Sequence, residues 1–364
     1  MIGTRSQSSG GVIPSAARDL VFGTASQDEI LRLRLRMTYK ERLRRTGINR
    51  TVTITRVASF LSALLFAAVL SAAETPYKIR IGFPSLAFSY MPYYVAAEKG
   101  IYKKYNIESE YIQMTSSIQP QALVNGNINY LTSVSTALSA AVSGLPMVVL
   151  ANFSDISPWV LLTNKDINKP QDLIGKTVAL SGIRTSPYYF FQAFLKKHEI
   201  KDKDINVINT GGTADSFRAL TSNRVVATVV TPPFDDKAVS LGYKKFMALG
   251  ELADIPYVGL ITSQNEIKTN RESVRRTVTA IVESLAWLRA NRAESVKMIV
   301  DKFKVNQQEA EGTYATLIGI MNKDARMNPK IARGYLDILR QERPIAADYD
   351  PMKHTDFSFL PASK

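Results

Sequence analysis

From Lys78 onward, short apolar runs of strand character alternate with stretches of helical period. Lys78-Ile-Arg-Ile-Gly-Phe83 alternates apolar and polar residues and predicts a strand. Pro84 to Phe88 reads as the following loop. Ser89 is expected to cap a helix that carries Pro92 in its first turn and ends at Gly100. Ile107 to Ile112 predicts a second strand, Gln119 to Asn125 a helix, and Ile128 to Thr132 a third strand. A helix begins near Ser135, and Met147 to Asn152 and Trp159 to Thr163 are further β runs. The pattern then repeats. Strands are predicted at Thr177–Leu180, Ile205–Ile208, Val225–Val230 and Lys245–Leu249. Between them lie helices at Tyr188–Lys197, near Ala214–Leu220, and after Pro232-Pro233.

Tyr257 to Thr262 reads as one more strand, returning to the first half. Arg271 to Arg340 is helical in period, with Ile281, Leu285 and Leu288 on one face. Strands and helices alternating at this spacing predict an α/β fold with a mostly parallel sheet. The expected division is a first lobe of residues 74–163 and 258–364 and a second lobe of 164–257. Two crossovers, near 162–168 and 254–260, would form the hinge.

The N-terminal stretch has a different character. Lys40, Arg42, Arg44, Arg45, Arg50 and Arg56 precede the apolar run Val57 to Leu70, which ends in Ser71-Ala72-Ala73. A basic leader, an apolar core and small residues at the minus-three and minus-one positions describe a cleavable signal peptide, with cleavage after Ala73. The run is shorter than the ~20 residues that span a bilayer. Signal peptides run about 15–30 residues, so a 73-residue leader is too long, and translation from Met37 or a later codon is expected, with 1–36 left out of the fold.

Charge and composition sharpen this. The chain of 364 residues carries a formal net charge of +14, which first suggests a nucleic-acid or membrane partner. Residues 1–73 hold eleven basic and four acidic residues, so one fifth of the chain carries half of that excess. The remaining +7 is spread over interspersed charges, which argues against nucleic acid. Cysteine is absent, which excludes disulfides, thiolate metal sites and cysteine nucleophiles. The two histidines, His198 and His354, are too few for a multi-histidine metal site. No phosphate loop, metal spacing or cofactor motif appears.

Three stretches carry a family resemblance. The first is Ile79-Arg-Ile-Gly-Phe-Pro84 followed by Met91-Pro-Tyr-Tyr-Val-Ala-Ala-Glu-Lys-Gly-Ile-Tyr-Lys-Lys-Tyr-Asn-Ile107, with Leu123-Val-Asn-Gly-Asn-Ile-Asn129 behind it. The second is Asp172-Leu-Ile-Gly-Lys-Thr-Val178. The third runs from Gly211-Gly212 through Ala219-Leu-Thr-Ser-Asn-Arg-Val-Val-Ala227 to Thr231-Pro-Pro-Phe-Asp235. In this order they resemble the periplasmic substrate-binding proteins of ABC importers for sulfonates, taurine, nitrate and thiamine-pyrimidine precursors. The resemblance covers roughly Lys78 to Ser263. It implies a two-lobed, type II periplasmic-binding-protein fold that closes on a small-molecule solute. It also implies a monomeric, periplasmic receptor without a cofactor, whose partner is an inner-membrane permease with its cytoplasmic ATPase.

The binding residues are expected where loops leave the carboxyl ends of strands and helix N-termini present free N–H groups. Four loops qualify. They supply Ser85, Phe88, Ser89 and Tyr90; Ser133, Ser135 and Thr136; Arg184, Thr185 and Ser186; and Thr231 and Phe234. Small hydroxyls beside helix starts suit an anionic or polar head group, and Arg184 suits a sulfonate or carboxylate. Helix capping is the competing explanation for each serine or threonine taken singly. Aromatic residues gather at the same loops. Phe88, Tyr90, Trp159 and Phe234 are expected in the cleft and favour an organic ligand, while Tyr94 and Phe190 are expected in the lobe cores.

The alternative is an enzyme on the same fold, similar to the yeast-type pyrimidine-precursor synthases. The absence of cysteine and of a histidine in any cleft loop disfavours it. Asp235-Asp236 and the Glu309/Glu311 pair read as helix starts or solvated faces.

Overall fold

The computed structural model describes residues 74–362 together with Arg32. The signal peptide, cleavage after Ala73 and the Met37 start therefore lie outside the described residues. One compact unit opens at Glu74.

Among the described residues, ten strands form two five-stranded sheets. The first contains β1 (Tyr77–Phe83), β2 (Ile107–Gln113), β3 (Tyr130–Ser133), β4 (Met147–Asn152) and β10 (Val258–Ser263), in the order β2-β1-β3-β10-β4. The second contains β5 (Val160–Thr163), β6 (Thr177–Leu180), β7 (Asn206–Asn209), β8 (Ala227–Val230) and β9 (Lys244–Ala248), in the order β7-β6-β8-β5-β9. Each sheet is mixed but mostly parallel in direction, with four strands running one way and one against them. β10 runs against β3 and β4, and β5 runs against β8 and β9. The two sheets thus share one plan, a parallel trio met by an antiparallel strand that arrives from the other lobe.

That plan moves the lobe boundary drawn from the sequence. Val160–Thr163 pairs with Val230–Ala227 and with β9, so it belongs to the second sheet and not to the first lobe. A four-residue apolar run fits either sheet, and only its hydrogen-bond partners decide. The first crossover therefore spans 153–159 rather than 162–168, and the second spans 249–257.

The crossovers lie side by side. Phe153 N donates to Val258 O (2.8 Å), Tyr257 N to Ser154 O (3.1 Å), and Leu249 N to Trp159 O (2.8 Å). Ser157 Oγ donates to Ile255 O at 3.3 Å. Gly250 allows this approach, since a Cβ there would lie inside the envelope of the Ser157 carbonyl oxygen.

Local chemistry explains the helices nearest the crossovers. A 3₁₀ turn at Phe88–Tyr90 precedes the helix Met91–Glu98, which has Pro in its first turn. Tyr90 holds the cap position, so Ser89 is not the cap expected from the sequence. Its hydroxyl is buried and without a partner. Ser133 does cap the helix Val134–Val142, accepting from Thr136 N. The helix after Pro232-Pro233 starts at Phe234 and ends at Ser240.

The C-terminal helices Arg271–Ala290, Arg292–Phe303, Gln307–Ile320 and Pro329–Arg340 complete the first lobe. The first packs on Met91–Glu98. The third is fixed by a capping box in which Asn306 accepts from Glu309 N and Glu309 accepts from Asn306 N. One large apolar core runs through both lobes. A smaller one, including Leu162, Phe217, Leu220 and Val230, lies under the second sheet.

Candidate functional site

The carboxyl ends of the parallel strands of both sheets face a cavity of about 40 Å³ between the lobes. At ~10–15 Å³ per water that is room for about three waters, so the lobes are closed on one another. Pro84, Ala87, Tyr90, Ser116, Thr132, Ser133, Tyr257 and Val258 line it from the first lobe and its crossover. Trp159, Ser181, Thr185, Ser186, Pro187, Thr213 and Thr231 line it from the other side.

Three helix N-termini converge here. Val134–Val142 starts after Ser133, Ser186–Lys197 after Thr185, and Thr213–Thr221 after Gly212. Their first-turn N–H groups lack intrahelical partners and carry the positive end of the helix dipole. Gly212 is needed for a close approach, because a Cβ there would meet Ser85 Cβ at 3.0 Å across the lobe boundary. At the same point Thr213 N donates to Ser85 Oγ at 3.3 Å.

The two aromatic residues that end the crossovers face each other. The Trp159 and Tyr257 rings lie 5.9 Å apart, edge to face at 76°. Both sit at the starts of the antiparallel strands, next to the pairs Val160↔Val230 and Val258↔Ser133. Burial pushes the Tyr257 hydroxyl up to about 12, and the Ser89 and Thr231 hydroxyls nearby act the other way. Neither of those hydroxyls is close or aligned enough to make a hydrogen bond.

Three buried polar atoms at this place have no partner in the fold: Trp159 Nε1, Thr231 Oγ1 and Ser89 Oγ. Trp159 is 6% exposed and Thr231 1%. A buried donor left without a partner costs about 1–3 kcal/mol, so such atoms call for an occupant of the cavity. The lining contains no Asp, Glu, Lys, Arg or His. An ammonium group would find no countercharge. The hydroxyls, the indole N–H and the helix N-termini instead suit an acceptor-rich solute, neutral or anionic. Among the described residues no cluster of His, Asp or Glu is arranged to hold a metal.

The sequence-derived candidates divide clearly. Tyr90, Ser133, Trp159, Thr185, Ser186 and Thr231 line the cavity. Ser85 and Ser135 lie one step behind, bridging the lobes through Thr213 N and through Ser186 Oγ (2.7 Å). Thr136 is tied to Ser133, whose Oγ donates to Thr136 Oγ1 at 2.9 Å, and Ser89 lies buried beside Tyr257.

Three candidates are elsewhere. Phe88 is fully buried in the lobe core, because its 3₁₀ turn directs the ring inward. Phe234 packs on Phe217 at 5.3 Å in the second lobe's small core. Arg184 is exposed. Its left-handed φ of +57° and the Thr185 Oγ1 to Gly182 O bond (2.9 Å) make a tight turn that puts the side chain in solvent.

Ser116, Thr132, Ser181, Thr213 and Tyr257 also line the cavity and are not among the residues expected from the sequence. Ser116 and Thr213 follow β2 and β7, so the carboxyl-end rule applied to every parallel strand would have reached them. Tyr257 precedes its strand and is invisible to that rule.

The family model described as NMT1/THI5 like matches residues 87–295. The riboflavin-binding protein RibY of Chloroflexus aurantiacus is 24% identical over 230 residues, which are 58% of this chain and 64% of that protein. Among solved structures, the alkanesulfonate-binding protein SsuA of Xanthomonas axonopodis pv. citri, bound to MOPS, superposes with a TM-score of 0.65. It is 14% identical, over 78% of this chain and 99% of that one. The Candida albicans CA3427 gene product, described as having the generic periplasmic binding protein fold, superposes at 0.63. It is 12% identical, over 79% of this chain and 98% of that one. The fold is that of the periplasmic binding proteins.

Proposed function

The chain belongs to the NMT1/THI5-like family, and from that membership we propose that it is an exported solute-binding receptor of an ABC import system. It captures a small organic anion or heteroaromatic solute between its lobes and hands it to an inner-membrane permease driven by a cytoplasmic ATPase. The observation that carries this reading is the closed inter-lobe cavity with the unpartnered Trp159 Nε1 and Thr231 Oγ1. A solute touching both lobes stabilises the closed state by its differential affinity, which is what a receptor needs to report occupancy. Export rests on the Val57–Leu70 run with Ser71-Ala72-Ala73. Among the described residues no helix is long and apolar enough to cross a membrane.

A fluorescence titration tests the reading. The chain has two tryptophans, Trp159 in the cavity wall and Trp287 under the Lys99 ammonium. In a Trp287→Phe background, MOPS, nitrate, pyrimidines and riboflavin are each titrated, with calorimetry on any that quench. Saturable binding with the solute recovered intact supports a receptor. Recovery of a converted product sinks it in favour of an enzyme.

A further inference from the structure

Behind the cavity, the lobes meet through a second set of contacts. The helices Val134–Val142 of the first lobe and Ser186–Lys197 of the second abut at their N-termini, where Ser135 and Ser186 share a 2.7 Å hydrogen bond. One turn further along each helix, the adjacent residues Glu342 and Arg343 reach both. Arg343 donates to Ser139 Oγ (2.5 Å) on the first helix and to Ser143 Oγ at its C-terminal cap. Glu342 Oε2 accepts from the Tyr189 hydroxyl on the second, at 3.2 Å. The Tyr189 ring also packs edge-on against Tyr335, at 5.7 Å and 74°.

This pair follows the helix Pro329–Arg340, which itself braces both crossovers. Asp155 on the first accepts from Asn328 N at 3.3 Å. Asp254 on the second lies against Gly334, where a Cβ would overlap it. Glu342, Arg343 and the helix Pro329–Arg340 lie beyond the 87–295 span matched by the family model, while their partners lie within it.

We propose that Glu342 and Arg343 form a latch between the lobes, joining the two cavity-lining helices and setting how readily the cleft opens. Tyr189 and Glu342 are positioning residues. They act on a solute only through Ser186 and Ser135, which they hold in register. Opening the cleft breaks the Tyr189–Glu342 bond and separates the Tyr189 and Tyr335 rings, so the latch weights the closed state before any solute arrives.

The absence of native cysteine makes the test direct. Cysteines at the exposed Lys103 of the first lobe and Lys203 of the second take a donor–acceptor dye pair. Energy transfer in single molecules of the solute-free full chain then reads the closed and open populations. Tyr189→Phe removes one hydroxyl and keeps the ring on Tyr335. It is expected to lower the closed-to-open ratio about tenfold, the low end for a hydroxyl bonded to an exposed carboxylate. Glu342→Ala is expected to do the same, and the double variant to go no further than either single one.

Populations that do not move, or effects that simply add, overturn the latch. So does a wild-type chain already open without solute, or a loss of melting temperature with no change in the populations. Because no solute is used, any of these outcomes leaves the receptor reading standing, and a failed titration leaves the latch standing.

Discussion

Thr231→Val is the substitution that separates a binding hydroxyl from a structural one. Thr231 is 1% exposed and its Oγ1 has no well-formed hydrogen-bond partner, so the native fold gains little from the hydroxyl that valine would lose. The two side chains match in shape. Replacing an unpartnered buried hydroxyl by a methyl group removes a desolvation cost of up to about 1–3 kcal/mol. The empty protein should be at least as stable as the wild type. At about 1 kcal/mol the melting temperature rises by roughly 2 °C, the usual scale for a domain of this size. Solute binding should move the other way. A hydroxyl that donates to a neutral acceptor contributes about 0.5–1.5 kcal/mol and to a charged one about 1.5–3 kcal/mol. The dissociation constant then rises roughly 2- to 10-fold for a neutral ring carbonyl and roughly 10- to 150-fold for a sulfonate or carboxylate. The assay is differential scanning calorimetry of the empty protein beside isothermal titration with whichever solute of the panel binds. Opposite signs support the assignment, and the size of the affinity loss reports the charge of the bound group. A variant that loses more than about 1 kcal/mol when empty would place Oγ1 in the architecture of the fold. An unchanged affinity would remove Thr231 from the site.

Three further outcomes follow from other parts of the molecule. Gly250→Ala forces a methyl group against the Ser157 carbonyl where the crossovers touch, and should cost about 1–3 kcal/mol in a thermal melt. A variant as stable as the wild type would mean that the crossovers are not packed as described. His354 accepts or donates a 2.6 Å bond with the Tyr349 hydroxyl, and burial, then Lys353, holds its pKa below the usual 6.5. The folded state therefore binds the proton less readily than the unfolded state. The stability His354 provides is complete above about pH 6.5 and is lost as pH falls through its lower folded value. Melting curves between pH 7.5 and 5 should decline less steeply in His354→Gln, and equal slopes would refute the assignment. Finally, intact-mass analysis of protein recovered from the periplasm should give a chain beginning at Glu74; a mass retaining residues 57–70 would refute cleavage after Ala73.

The sequence made some parts of the site legible and hid others, for reasons of strand direction. In a parallel strand the chain leaves the sheet at its carboxyl end, so residues after β1, β3, β6 and β8 were marked as cleft candidates from sequence alone. Tyr90, Ser133, Thr185, Ser186 and Thr231 were reached this way, and all line the cavity. β5 and β10 run the opposite way, which brings their starting ends to the same edge. Trp159 and Tyr257 precede those strands, and nothing in a run such as Val258-Gly-Leu-Ile announces that its neighbours in the sheet point backwards. Trp159 is marked in the sequence by its aromatic character, whereas Tyr257 reads as part of its own strand. Val160–Thr163 is ambiguous for the same reason: four apolar residues carry no record of their partners, and only its pairing with β8 and β9 places it in the second sheet. Arg184 is hidden for a different reason. Its loop borders the cavity through Thr185 and Ser186, but the side-chain direction depends on a left-handed turn that an arginine does not advertise. What strand polarity hid is also what joins the lobes. The two residues that begin the antiparallel strands end the two crossovers, so the ring contact between Trp159 and Tyr257 is both a wall of the cavity and a contact between the crossovers. A solute that bonds Trp159 Nε1 therefore acts on the connection between the lobes as directly as on either lobe.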